Sequence, residues 1–284
     1  MIKSKKIWIN YIYITILLIV LISSKEGFAQ KFNKQEVRDS LKYYFKQIGT
    51  ENSDSNKILI NRDIQRIIRN ALSFNESFDS PLDSVLNLGV VISENNRVRF
   101  YTWNIPFNDG THKYFGFIHY YSKKDKKYNL FELFDNSDNI KKPTMEFLSS
   151  RNWFGGLLYM IIEKKYKGDT YYILLYSDLN DLHTKKKIID VLQFGEHDLP
   201  VFGARIFKDQ PQNTRIIFEF NARASMTLTY DNKLKMIVFD HLSPSKPSLK
   251  GVYEFYGPDF SYDGYKFEKG FWVLHPDIDI RNNK

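Results

Sequence analysis

The spacing of apolar positions changes along this chain, and each change predicts a different kind of element. From Ile7 to Ile22 the residues are continuously apolar except for Asn10 and Thr15. Next come Val37, Leu41, Tyr44, Phe45 and Ile48, then Ile60, Ile64, Ile67, Ile68 and Leu72, at helical spacings. Residues three and four apart share one face of a helix. The pattern therefore predicts two amphipathic helices, the second carrying Arg62, Arg66 and Arg69 on its outer face. Ser80 as N-cap, Pro81 at the first helical position and Gly89 past the end predict a third, short helix ending near Leu88.

From Val90 onward the period falls to two. Thr214, Ile216, Phe218 and Phe220 alternate with their neighbours, as do Met226, Leu228 and Tyr230. That is the signature of half-buried antiparallel strands. Lys167-Gly168, Asp231-Asn232 and Lys269-Gly270 lie between such runs and tolerate the positive φ of tight hairpins. No helical pattern separates the strands, so the chain reads as mainly β with a short helical N-terminal part, an antiparallel meander forming a bent sheet or a sandwich. A partial β-propeller is the alternative, since a run of this many strands must curl, split into layers or form blades. The expected organisation is a signal peptide over 1–29, a helical segment over 30–89 packed on the main domain, and a β domain over 90–284.

The N-terminal apolar run changes the functional picture. Lys3, Lys5 and Lys6 precede it, and Gly27-Phe28-Ala29 follows a polar stretch with small residues where signal peptidase inspects the chain. The run is shorter than the roughly 20 residues that span a bilayer, so cleavage after Ala29 is expected, with no transmembrane span after it. The chain is expected to be periplasmic or secreted. With no cysteine, neither a lipid anchor on a cysteine nor a disulfide framework is available. The net charge of +8 drops to about +5 once Lys3, Lys5, Lys6, Lys25 and Glu26 are removed, which is too little to suggest nucleic acid. The aromatic content of 16% suits strands.

No motif fixes a reaction. Asp178, Asn180 and Asp181 gather oxygen ligands in one loop and are a candidate Ca²⁺ site, although Asp and Asn are also ordinary turn formers. No other cofactor is expected. Asp240, His241, Asp259 and Asp263 are candidate catalytic groups. Neighbours on a strand face opposite ways, so Asp240 is badly placed to orient His241. Phe260, Tyr262 and Tyr265 interleave with the two later carboxylates and, with Trp153, are candidate ligand-binding aromatics. Gly195-Glu196-His197-Asp198 reads as a solvated turn, and the Arg62, Arg66 and Arg69 stripe as a solvated helix face.

Several phrases accumulate between 150 and 275: Trp153-Phe154-Gly155-Gly156, Tyr171 to Leu175, Ile188 to Leu192, Phe202-Gly203-Ala204, Ile237 to Pro244, and Tyr256 to Tyr265. Together they resemble a group of uncharacterised exported bacterial proteins with a short helical N-terminal part. The resemblance implies export and a single folded unit, and it transfers no catalytic residue.

These readings converge on an exported, non-enzymatic domain that binds a ligand or a partner protein at the cell envelope, the partner being an unknown protein or glycan. A glycan-acting hydrolase using the carboxylates and histidine of 240–264 is the competing class, and a structural component of an envelope assembly is a third. N-terminal sequencing of the protein made in bacteria is expected to begin at Gln30, and a start at Met1 would overturn the reading of the leader.

Overall fold

A computed structural model describes residues 32–280; the leader assigned above lies outside the described residues. Residues from Lys34 onward form one compact unit. Helix α1 spans Lys34–Thr50, α2 Asp54–Leu72 and α3 Glu76–Asp79. The first sheet contains β1 (Gly89–Ile92), β2 (Val98–Pro106), β3 (His112–Ser122) and β4 (Lys127–Phe134), in that order. The second contains β5 (Leu148–Ser149), β6 (Leu157–Tyr166), β7 (Asp169–Asp178), β8 (Thr184–Phe194), β9 (Pro200–Phe202) and β10 (Ile216–Asn221). Its order is β5-β9-β8-β7-β6, with β10 paired to β8. The third contains β11 (Leu228–Asp231), β12 (Met236–Pro244), β13 (Tyr256–Glu268) and β14 (Phe271–His275), again in chain order. Every strand pairing is antiparallel.

Alternation of side chains stacks these sheets into layers. On β7, Tyr172, Leu174 and Tyr176 join Val98, Phe100, Ile118 and Tyr120 of the first sheet in one core. The intervening Ile173 and Leu175 join Ile237, Phe239, Tyr265 and Trp272 of the third sheet in another. The second sheet is therefore the filling between the other two, buried on both faces. The outer face of the first sheet carries Tyr101, Trp103 and Phe117, all at most 1% exposed. Leu41 and Phe45 of α1 and Ile64 and Ile68 of α2 are buried with them. Trp103 stacks between Phe115 and Phe117 and donates its indole N–H to Asn61 Oδ1 of α2 at 2.7 Å. Each such side chain contributes about 1.5–3 kcal/mol by leaving water.

The meander, the strand periods and the layered arrangement match the expected mainly β sandwich. The third helix differs. Its hydrogen-bonded turn is Glu76–Asp79, and Ser80 closes it instead of opening one. Residues after Pro81 form turns because Ser84 and Asn87 take positive φ, at 63° and 68°, which no helix accommodates. Leu82, Val85 and Leu88 are buried all the same, so their three-residue spacing recorded burial and not a helix. The arginine stripe behaves as a solvated face: Arg66 pairs with Asp63 and Arg69 with Glu132, both at 2.7 Å.

A charge pair lies inside the middle sheet. Arg215 and Asp190 have fully buried side chains, with Nε 3.0 Å from Oδ2. Asp190 also accepts from the Tyr176 hydroxyl at 3.0 Å and the Val191 amide at 2.8 Å. Arg215 donates further to the carbonyls of Pro143, Glu146 and Phe202. Burial works against the guanidinium charge, and the Asp190 carboxylate more than offsets it. Truncating one member leaves the other charge dry and unpaired. Arg215→Ala is expected to lower stability to urea unfolding by about 3–5 kcal/mol, and a loss below about 1 kcal/mol would show that the pair is not essential to the sheet.

Candidate functional site

A polar cleft opens where three loops meet at one end of the first two sheets. They are the β2–β3 turn, the segment following β4, and the β7–β8 loop. The cleft has a volume of about 510 Å³, and its lining includes Phe107, Asp109, His112, Lys113, Tyr114, Asp135, Asp138, Phe154, Asp178, Asn180, Asp181 and Lys186.

Its floor is built by hydrogen bonds that fix carboxylates in place. The Tyr114 hydroxyl donates to Asp178 Oδ1 at 2.8 Å and accepts from the Leu179 amide at 2.7 Å, joining the first sheet to the second. Burial, reinforced by the neighbouring Asp178, pushes the Tyr114 phenol well above its ordinary pKa, so it stays a donor. Lys186 Nζ lies 3.5 Å from Asp178 Oδ2 and donates to Asn180 Oδ1 at 2.7 Å. Asp135 accepts from the Tyr114 amide at 3.0 Å and, through its other oxygen, from Ser137 Oγ at 2.6 Å. Ser137 Oγ in turn accepts from the Gly155 amide at 2.8 Å. A Cβ on Gly155 would sit 2.5 Å from the Asp135 carboxyl carbon, so this position has room only for glycine. That is the structural role of the first glycine in Trp153-Phe154-Gly155-Gly156.

The rim is freer. Among the described residues the side chains of Lys113 and Asp138 have no hydrogen-bond or ion-pair partner, and Asp109 uses one oxygen, on Thr111. His112 Nδ1 lies 2.8 Å from Asn104 Nδ2. With the amide donating there, the neutral ring carries its proton on Nε2. Burial pushes the His112 pKa down against the pull of Asp178, which favours that neutral form. Five aspartates against two lysines make the cleft acidic. Leu182 packs on Gly110, where a Cβ would lie 2.4 Å from Leu182 Cγ, so the two hairpin loops touch beside the mouth.

The candidate cation loop is thus part of a larger wall. Asp178 is saturated by Tyr114, the Asn180 amide and Lys186. Asp181 Oδ1 accepts the His183 and Thr184 amides at 2.7 and 2.9 Å. Burial opposes ionising Asp181, but those amides prevail and hold its carboxyl below the usual range. These are the bonds of a tight turn. Among the described residues no group of three histidines and carboxylates is arranged to hold a metal ion.

The remaining candidates fall elsewhere. Trp153 is 2% exposed in the core between the first two sheets, and Tyr265 is 1% exposed in the core between the second and third. Neither ring offers a face to a ligand, and the two lie on opposite sides of the middle sheet. Their burial follows from aromatic side chains being the largest apolar surfaces available to fill a core. Tyr262 is half-buried, while Phe260 is 94% exposed with φ of 72°. Asp240 accepts the Thr227 amide at 2.6 Å and ties β12 to the residue before β11.

His241 and Asp263 do come together across β12 and β13. His241 Nδ1 lies 2.8 Å from Asp263 Oδ2, and the other Asp263 oxygen accepts the Asp277 amide at 3.1 Å. Phe239 is the cross-strand partner of Asp263, and the register between these strands shifts between Asp240 and Leu242, where His241 stands. Asp259 lies near enough to add to the field but spends one oxygen on Ser261. The bond to Asp263 raises the His241 pKa, burial opposes it, and Asp263, Asp259 and Asp277 add attraction.

Comparison of the chain with protein-family models, curated proteins and solved structures finds no significant match, so the sites are read from their own geometry.

Sequence reasoning reached the Asp178–Asp181 part of the cleft and missed Asp109, His112, Lys113, Asp135 and Asp138. Those residues belong to separate hairpins and meet only through sheet stacking. The Asp109-Gly110 turn was the one local signal. A histidine NMR titration is expected to give His241 a pKa above that of a free histidine, and Asp263→Asn should bring it back down. Because the folded value is the higher one, the pair stabilises the fold fully below the unfolded pKa and ceases to as pH rises through the folded pKa. An unshifted His241 in the parent protein would refute the pairing.

Proposed function

We propose that this chain is an exported, non-enzymatic binding domain of the cell envelope whose ligand occupies the cleft between the first two sheets. The observation that carries this reading is the combination of a preformed 510 Å³ cavity with a fixed polar floor and an unengaged rim of Lys113 and Asp138. Preformed concave sites with a few oriented polar groups are where small ligands bind. The acidic balance disfavours anions. Carboxylate and amide acceptors, an imidazole N–H and the ring of Phe107 suit a hydroxyl-rich ligand that is neutral or carries an amine, such as a short glycan containing an amino sugar. The carboxylates are already held by amides and hydroxyls, which supports recognition and leaves few of them free for proton transfer.

A hydrolytic reading has one observation in its favour, the His241–Asp263 pair with Asp259 beside it. A carboxylate that orients an imidazole raises its basicity, as a general base requires. The pair lies on the third sheet, away from the cleft, and has no aligned nucleophile among its hydrogen-bond partners.

The test is a glycan array followed by calorimetry on the purified protein. Neutral and amino-sugar glycans are expected to bind and acidic ones to fail. Asp138→Ala and Lys113→Ala are expected to weaken binding about tenfold or more, or about 1.4 kcal/mol, with unchanged thermal stability. Silence on the array, or binding untouched by both substitutions, would sink the proposal; glycan cleavage lost in His241→Asn would install the hydrolytic reading in its place.

A further inference from the structure

A second groove runs along the outer edge of the middle sheet. Strand β6 is an end strand there, paired only with β7. Among the described residues no backbone group outside the sheet bonds to Met160 through Tyr166. The edge is recessed between the turn after β1, which supplies Glu94, and the β11–β12 hairpin, which supplies Tyr230, Asn232 and Lys235. With Met160 to Lys164 as its floor, the groove has a volume of about 450 Å³. Five residues of strand are about 16 Å long, and a neighbouring strand sits about 4.8 Å away.

The strand composition favours pairing: Leu157 to Ile162 is uncharged and apolar, and the charges begin at Glu163. The bulge after Leu158 ends the regular part of the edge at its N-terminal side. The walls differ in charge. Ile161 and Glu163 face the first-sheet side, where Glu94 stands. Met160, Ile162 and Lys164 face the third-sheet side. There the Lys164 ammonium lies on the Tyr230 ring and donates to its hydroxyl at 2.7 Å, and Lys235 stands next to it in the groove lining. One group in the groove is unsatisfied. The Glu163 side chain is 9% exposed; its Oε1 meets Lys165 at 2.9 Å, while Oε2 is buried with no partner. A buried carboxylate oxygen without a donor costs free energy, which Glu163 recovers by turning its side chain into the groove to meet an incoming donor.

We propose that the β6 edge receives an extended segment of a partner protein by strand addition, with a cationic or hydroxyl-bearing side chain at the position facing Glu163 and an acidic one facing Lys164 and Lys235. Backbone hydrogen bonds to β6 supply affinity, and the two oppositely charged walls set register and direction. The recessed edge selects a lone strand: a second copy would bring its own flanking hairpins, and its equally recessed β6 would not reach.

The test uses the purified protein and an array of synthetic eight-residue peptides with apolar residues at the centre and lysine, serine or aspartate varied at alternating positions. Peptides of the stated charge alternation are expected to bind at least tenfold more tightly than those with the two charges exchanged. Glu163→Gln should reduce the preference for lysine, Lys235→Glu should reverse the acidic preference, and backbone N-methylation of the peptide should abolish binding. Hydrogen exchange should slow at the amides of Met160 to Tyr166 when peptide is added. The proposal is overturned by an array without preference, by a preference indifferent to both substitutions, or by binding that leaves β6 exchange unchanged. Protection of β6 that grows with protein concentration alone would also overturn it, in favour of a second copy.

Discussion

The buried pairing of Arg215 with Asp190 is the constraint on which the rest of the molecule depends. A sheet covered on both faces has no water to solvate a charge, so every ionised group within it needs partners in fixed positions. Asp190 lies on β8 and faces the first sheet. Arg215 stands one residue before β10 and reaches the same space, and its remaining N–H groups meet the carbonyls of Pro143, Glu146 and Phe202. One guanidinium thus gathers the loop before β5, the end of β9 and the start of β10 around the centre of the sheet. Thr214 extends the same attachment, its amide donating to the Thr144 carbonyl at 2.7 Å. The loop before β5 and the approach to β10, which no strand pairing organises, are tied together by this pair.

The two grooves are shaped by other contacts. The segment after β4 is held against Trp153 by backbone bonds in both directions, and so Asp135, Ser137 and Asp138 stand at the end of the layers. Tyr114 and Asp178 then close the floor from the two sheets. At the lateral edge the same layering has the opposite effect. There Glu94 and the β11–β12 hairpin flank β6, which lies in a trough with charged walls.

The helical layer contributes differently. It covers Tyr101, Trp103 and Phe117, which the first sheet would otherwise expose, and it meets the β2–β3 turn beside the cleft through Lys57 and Asp54. The Lys57 ammonium bonds to Asp54 at 2.9 Å and to the Pro106 carbonyl at 3.0 Å, and Asp54 accepts the Asn108 amide. These contacts steady the β2–β3 turn that forms one side of the cleft. The N-terminal helices therefore support the site without lining it.

The sequence by itself determined the element types, because a period of two or of three to four is a local property that burial enforces on each strand or helix. It determined the hairpins at Lys167-Gly168 and Lys269-Gly270, where glycine supplies a positive φ and the lysine before it is carried into the same region by the turn. It also placed Asp178, Asn180 and Asp181 in one loop. Only the tertiary structure decided that Tyr114 and Asp135 would meet them, since contacts across stacked sheets leave no trace in spacing. Only it decided that His241 would find Asp263 on the neighbouring strand. Trp153 and Tyr265 read as candidate binding aromatics until packing drew each into a different core, because an aromatic ring suits a ligand platform and a sheet interior for the same physical reason.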